Sequence, residues 1–337
     1  MKALVYTAPG RVEMHEMDVP QPGNGEALVR VQAAGICGSD MGGFLGHHAR
    51  RQPPLVLGHE VVGVVEESMN ASFSAGQRVC VNPIFSCHQC SNCLAGRQNV
   101  CTNWRLLGMD DVEGAFADFV LAPYSSLTPL PAELPDEIAV LPEPVACGVH
   151  LLSLAGGEPF GSMAIFGAGT QGTLILCLAK ALGYHPIFIS DVNPERLAVA
   201  EKLGSSRTIH AAEVDALEVI REETGENGVD IAIDAVGLPK TRLDATEACR
   251  PGGTVLLLGL AEATTEMDFL QLIRREIRLQ TSFGYNATDF QKAVDLVVNG
   301  SIDIQPWIEV RPLEDGQAAF DKMIEAPGGT VKMVLKP

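Results

Sequence analysis

The segment MAIFGAGTQGTLILCLAKAL, residues 163–182, runs from four apolar residues through a glycine-rich turn into a stretch with helical periodicity. MAIF reads as a buried strand. The turn GAGTQG places glycines at 167, 169 and 172. At that spacing Gly167 permits a tight turn, Gly169 lets the backbone approach a pyrophosphate, and Gly172 allows the following helix to pack closely on the strand. The helix N-terminus would present N–H donors and positive potential to phosphates. A lone G-x-G-x-x-G carries little weight. Here a strand precedes it, a helix follows it, and Asp191 ends the run PIFISD nineteen residues after Gly172. Asp191 is placed to accept hydrogen bonds from adenosine ribose hydroxyls, and a carboxylate there repels a 2′-phosphate, so NAD is expected over NADP. Arg196, five residues further on, is positioned to stack on the adenine of either cofactor.

Outward from that motif, MAIFG, PIFISD, RTIHA, VDIAIDAVG, GGTVLLLG and IRLQTSFGY read as six buried strands, with helices between them such as Thr170–Leu182 and Pro194–Leu203. Continuous apolar strands alternating with helices describe an α/β, doubly wound parallel sheet of the Rossmann kind. Upstream, from Met1 to about Val145, the texture differs: KALVYTA, EALVRVQAAG, EVVGVVEES and QRVCVNP are short alternating runs separated by Pro and Gly clusters, as in a barrel-like β domain. EPVACGVHLLSLAG reads as a helix, and the last fifty residues return to helix plus short strands. The expected division is 1–146, 147–284, and a tail, 285–337, that returns to the first domain. A chain of 337 residues is long enough for two cores.

Hydrophobic residues make up 46% of the chain and charged residues 20%, with a net charge of −18. That charge repels phosphate backbones and anionic membranes, which argues against nucleic acid or lipid as the main partner and favours a small uncharged or cationic substrate. No apolar run reaches the roughly 18 residues of a bilayer crossing, and MKALVYTAPG lacks an export pattern, so a cytoplasmic location is expected.

Nine cysteines stand at 37, 80, 87, 90, 93, 101, 147, 177 and 249. In a chain without export signals, metal is favoured over disulfides. Cys87, Cys90, Cys93 and Cys101 follow C-x2-C-x2-C-x7-C, which lets one loop wrap four sulfurs around a single ion. Four thiolates leave no open position, so this site is structural; zinc is favoured, with an iron–sulfur cluster as the alternative. Arg97 and Arg105 near the loop read as solvated. Catalysis must lie elsewhere. Cys37 in GICGSD, His59 and Glu60 in GHE, and Glu143 in LPEP form a second donor set of thiol, imidazole and carboxylate, suited to a zinc ion whose coordination is incomplete. Cys147, four residues past Glu143, reads as packing, with ligation as the alternative. Cys80, Cys177 and Cys249 read as core.

With these residues in view, AAGICGSD, LGHEVVGVV, the four-cysteine loop, GAGTQG and IDAVG, in that order through nearly the whole chain, resemble the zinc-dependent medium-chain alcohol dehydrogenase family, and within it the sorbitol (polyol) and threonine dehydrogenase branch. The resemblance implies a GroES-like catalytic domain beside the Rossmann domain, two zinc ions, NAD, and a homodimer or homotetramer. It implies Cys37 and His59 as ligands of the catalytic zinc, with Glu60 and Glu143 either both ligating or one of them binding the zinc-held water. Ser39 falls where the family places the hydroxyl that takes the alcohol's proton, and Asp40 where it places the carboxylate that orients the ligand histidine; without the motif, GSD would read as a turn. The implied reaction is reversible NAD-linked oxidation of a secondary alcohol, a polyol or sugar alcohol, to a ketone. The alternatives are an anionic or amino alcohol, such as a sugar phosphate or a threonine-like substrate, and a coenzyme-binding relative without catalysis. Many relatives carry a histidine at the position of Gly42, so the proton is expected to leave through water or through His47 or His48. Arg50 and Arg51 form a basic spot that reads either as a solvated loop or as an attractor of anionic substrate. Loops such as FLGHHARRQPP and NWRLLGMDDVEG, with the segment around Phe283 and Tyr285, are expected to wall the pocket.

Overall fold

The computed structural model describes residues 1–70, 72–156 and 161–337. Contacts within the chain gather into two units, Met1–Ala146 with Asn286–Pro337, and Cys147–Tyr285.

The first unit is built on β-structure. Its larger sheet runs Leu127–Pro129, Arg78–Val81, Glu60–Ser68, Glu26–Ile36, Lys332–Lys336, Ile308–Pro312, with Phe119–Pro123 also paired to Glu26–Ile36. A smaller sheet joins Arg11–Glu16, Lys2–Ala8 and Leu55–Val56. The apolar residues of these alternating strands, among them Leu4, Val29, Ile36, Val61, Val79 and Leu335, form one core with Phe116 and Phe320. Lys332–Lys336, from the tail, pairs antiparallel with the end of Glu26–Ile36, Met333 opposite Ile36 and Val334 opposite Gly35. Glu60 stands opposite Gly35 on the other side. Three strand ends that are remote in sequence therefore meet at Ile36.

The second unit is the parallel sheet that the glycine-rich turn announces. Its strands run Arg207–His210, Ile187–Asp191, Met163–Phe166, Val229–Asp234, Cys249–Leu257, Arg278–Thr281, the order 3-2-1-4-5-6 of a doubly wound sheet. Helices Thr170–Ala181 and Pro194–Lys202 follow its first two strands. Burial of Ala164, Phe166, Phe188, Ala232 and Val255 holds the sheet to its helices. The strand order reverses beside Met163–Phe166, the switch point where such sheets bind ligands at their carboxyl ends.

Candidate active site and metal centres

The cysteine loop closes on itself. Cys90 caps the short helix Ser91–Leu94, and Cys101 ends a single 3-10 turn, Gln98–Val100. The ligand atoms of Cys87, Cys90, Cys93 and Cys101 all lie within 4.8 Å of one another. Sγ of Cys101 is 3.4 Å from that of Cys87 and 3.8 Å from that of Cys90, and Cys87 to Cys93 is 3.9 Å. A tetrahedron with Zn–S bonds of about 2.3 Å has edges of about 3.8 Å, so the set fits one zinc ion. An iron–sulfur cluster would spread its ligand sulfurs further apart. Backbone N–H groups of Cys87 and Asn103 donate to the Cys101 sulfur at 3.4 and 3.3 Å. The N–H groups of Cys93 and Thr102 pull the Cys90 thiol down to about 5, whereas burial and neighbouring sulfurs push Cys93 up to about 11. A dication removes that conflict, because all four sulfurs can then ionise.

The second set is assembled by sheet register. Cys37 follows the strand Glu26–Ile36 and opens the helix Gly38–Phe44; Glu60 starts the neighbouring strand Glu60–Ser68, with His59 just before it. Ligand atoms of Cys37, His59 and Glu60 lie within 4.8 Å of one another, with His59 and Glu60 buried and Cys37 half-buried. Asp40, wholly buried, accepts from the Cys37 backbone N–H through Oδ2 at 3.1 Å, and its Oδ1 is 3.1 Å from His59 Nδ1. Nδ1 pointing at a carboxylate leaves Nε2 for a metal, the arrangement that fixes a ligand histidine's tautomer. Burial opposes charge on His59, but Asp40 and then Cys37 outweigh it and hold the imidazole well above its usual range. Burial likewise opposes ionisation of Asp40, and His59, Arg51 and the Cys37 N–H overcome it, keeping the carboxyl well below the usual carboxylate range. That donor chemistry suits a divalent ion.

Glu60 carries a feature that sequence reasoning missed. Both of its oxygens are 2.7 Å from Nζ of Lys332, which also donates to the Ile36 carbonyl at 3.1 Å. The ammonium is wholly buried; burial disfavours its charge, and Glu60, Cys37 and Glu143 together raise its pKa above the ordinary lysine value. Gly35 makes the pairing possible, since a Cβ there would fall 2.0 Å from Glu60 Oε2. The signal in sequence was a lysine inside the apolar run VKMVL, in a strand whose first four residues are all buried. Glu143, the second residue of the helix Pro142–Ser153, is buried and acts on the same ammonium, but it lies outside the cluster formed by Cys37, His59 and Glu60.

The basic spot divides between a half-exposed Arg50 and a buried Arg51. Arg50 is held by Asp110, with Nη2 to Oδ2 at 2.6 Å, and its guanidinium lies 4.2 Å over the Trp104 ring. Arg51 is buried and directed at Ser39, Gly108, Asp40 and His59. Arg50 thus pairs with Asp110, and Arg51 shares Asp40 with His59. Ser39 is half-buried between Cys37 and Asp40. At Gly42 a Cβ would meet nothing within 4 Å. His47 is exposed, whereas His48 is half-buried, its pKa lowered by burial and by Arg51 and Arg50. Cys147 is half-buried and outside both metal clusters.

In the second unit Gly167 has φ +107°, a conformation L side chains rarely adopt, and a Cβ on Gly172 would fall 1.7 Å from the Gly167 carbonyl oxygen. Gly169 precedes the helix Thr170–Ala181 and offers no side-chain cap. Asp191 ends the second strand and accepts from the N–H of Ala168 at 2.6 Å and of Asn193 at 2.8 Å, which fixes its carboxylate at the rim of the turn. Nη1 of Arg196 reaches within 3.9 Å of the Cβ position on Gly169.

A GroES-like β unit carrying a four-sulfur loop and a mixed thiolate–imidazole–carboxylate site, in one chain with a dinucleotide fold, defines a class: a metal-dependent, nicotinamide-linked oxidoreductase. Comparison with known proteins agrees. Residues 23–132 match the alcohol dehydrogenase GroES-like domain and residues 172–299 the zinc-binding dehydrogenase domain. The sorbitol dehydrogenase of Bacillus subtilis is 30% identical over 345 residues, covering 100% of this chain and 97% of that protein. The L-threonine 3-dehydrogenase of Pyrococcus horikoshii is 32% identical over 346 residues, covering 100% and 99%. A zinc-binding dehydrogenase of Sinorhizobium meliloti, solved with NADP bound, superposes with a TM-score of 0.92 at 31% identity, covering 100% of this chain and 99% of that one. The chain belongs to the zinc-binding medium-chain dehydrogenase family and is an enzyme of that class. Among the described residues no helix is long and apolar enough to cross a membrane.

Proposed function

We propose that this enzyme oxidises a secondary alcohol of a polyol or sugar alcohol to the ketone, reversibly, with NAD as hydride acceptor. The observation that carries the reading is the convergence of Cys37, His59 and Glu60 within 4.8 Å, with Asp40 behind the histidine. In this reading Cys37, His59 and Glu60 hold the catalytic zinc and Glu143 faces its remaining position, while Cys87, Cys90, Cys93 and Cys101 hold the structural one. The zinc, when bound, acts as a Lewis acid on the alcohol oxygen.

The remaining work falls to the chain. Asp40 keeps the His59 Nδ1 proton in place and so keeps Nε2 available as a donor. Ser39 receives the alcohol's proton and passes it on. Lys332 offsets the charge of Glu60, so a second carboxylate beside Cys37 does not leave the buried site with excess negative charge. Gly167, Gly169 and Gly172 let the backbone approach the coenzyme pyrophosphate. Asp191 accepts from the ribose hydroxyls, and Arg196 covers the adenine. A neutral polyol is favoured over a sugar phosphate because Arg51 is buried against Asp40 and Arg50 is paired with Asp110.

The enzyme is read as a cytoplasmic homo-oligomer. Among the described residues the edge strand Arg278–Thr281 pairs on one side only, with Cys249–Leu257, and Phe269, Ile273 and Leu279 of the same unit are exposed, a combination that open sheet edges bury in self-association. The test is a panel of polyols, amino alcohols and sugar phosphates assayed with NAD and NADP, together with zinc content per chain. A sugar phosphate turned over faster than its alcohol, or NADP used as well as NAD, would contradict the reading.

A further inference from the structure

Arg51 belongs to neither metal set, yet it is wholly buried and every nitrogen of its guanidinium is directed. Nε donates to the Gly108 carbonyl at 3.0 Å and Nη1 to the Ser39 carbonyl at 2.9 Å. Nη2 is 3.6 Å from Asp40 Oδ1 and 3.4 Å from His59 Nδ1. The side chain crosses the helix Gly38–Phe44 at Gly43, where a Cβ would come 2.7 Å from Arg51 Cδ. Burying a guanidinium is costly unless it is paired and its hydrogen bonds are met, and here the carboxylate that pairs with it is Asp40.

An arginine only donates, so Nη2 and a protonated Nδ1 cannot bond each other; Nδ1 then donates to Asp40 Oδ1 at 3.1 Å, and Nη2 forms an ion pair with the same oxygen at 3.6 Å. Once His59 offers Nε2 to a metal, that oxygen is shared between the imidazole N–H and the guanidinium. A carboxylate that serves the imidazole alone makes the ring a stronger donor and weakens the ion's pull on substrate oxygen. A carboxylate shared with a cation pulls less.

We propose that Arg51 is a positioning residue of the active site: it moderates the hold of Asp40 on His59 by sharing Oδ1, and through the Ser39 carbonyl it fixes the turn that carries the serine hydroxyl. The inference rests on the assignment of Cys37, His59 and Glu60 to a catalytic zinc. It acts through charge and aim at groups that are already in place, so its loss falls on kcat more than on KM or on metal content.

The test is a double-mutant cycle on the holoenzyme, in zinc and cobalt(II) forms, with Arg51→Met, Arg51→Lys, Asp40→Asn and Arg51→Met combined with Asp40→Asn. Arg51→Met is expected to retain both metals, to keep KM within about twofold and to lose about 10- to 100-fold in kcat, with a shift of the cobalt visible bands. Arg51→Lys, which restores charge without the fork, recovers part of the loss. In the Asp40→Asn background the Arg51→Met cost shrinks to a small part of its value, because the charge it offsets is gone. An equal cost in both backgrounds, or a loss that only tracks metal-free or unfolded chains, overturns the inference. If Arg51→Met does not fold, Arg51→Lys carries the same cycle. A wild type that holds zinc only in its four-cysteine loop overturns the underlying assignment as well, so the two failures are distinguishable.

Discussion

The two metal centres of this chain are built in opposite ways. The four-cysteine loop takes all its donors from residues 87–101, tethers its sulfurs with neighbouring N–H groups, and needs no distant residue to be complete. The mixed site takes Cys37 from the end of one strand and His59 and Glu60 from the start of the strand paired with it, and it rests on two buried cations, Arg51 in a loop and Lys332 in the last strand. A closed site can be local because all it has to do is hold an ion. An open site must keep charges unsatisfied by the ion within reach of substrate, so the fold itself has to balance them.

Breaking the open site should have the largest effect. Cys37→Ser should remove one zinc per chain and reduce kcat/KM by at least ~10³-fold while the fold persists, measured by metal analysis and steady-state kinetics. Next comes Lys332→Met, which strands the buried Glu60 carboxylate; about 3–5 kcal/mol of unfolding free energy should disappear at neutral pH in urea titrations. The sign of its pH dependence follows from the raised Lys332 pKa. Its contribution is whole below the ordinary lysine value and fades as pH rises through the higher folded value. The gap between wild type and variant should therefore close on the alkaline side.

Cys90→Ser sharpens the contrast from the other end: it should also remove one zinc and lower the melting temperature, yet leave kcat per folded chain close to wild type. Asp191→Ala should cost NAD about 10- to 100-fold in kcat/KM, the worth of one or two hydrogen bonds to a charged group, and narrow the preference over NADP. The smallest effect is expected at the exit route. His48 is half-buried beside two arginines and titrates below the usual histidine range, so His48→Ala should change the acidic limb of the pH–rate profile, and His47→Ala should not. Unchanged profiles in both variants would assign proton exit to water alone.

How much of this was legible in the sequence follows from the same contrast. GAGTQG after MAIF and the cysteine spacing are local codes, and the strand order and the sulfur cluster match them. Cys37, His59 and Glu60 were legible as donor types, and their meeting depends on Gly35 standing opposite Glu60. Lys332 and Arg51 were not legible in their roles. Lys332 reaches Glu60 across 272 positions of sequence, and no local spacing encodes a strand register. Arg51 sits in HHARRQPP, where charge and neighbours suggest solvent; only the gap left by Gly43 lets it turn inward. Glu143, grouped with the ligands from sequence, is buried in the helix Pro142–Ser153 and is not one of the three donors that lie within 4.8 Å of one another.

The most direct test of the central claim is X-ray absorption at the zinc edge of the purified enzyme, with metal stoichiometry. The proposed assignment predicts two zinc ions per chain, one in a shell of four sulfurs and one in a shell with a single sulfur and nitrogen and oxygen neighbours, the latter signal lost in Cys37→Ser and kept in Cys90→Ser. One zinc per chain in an all-sulfur shell, unchanged by Cys37→Ser, would contradict it.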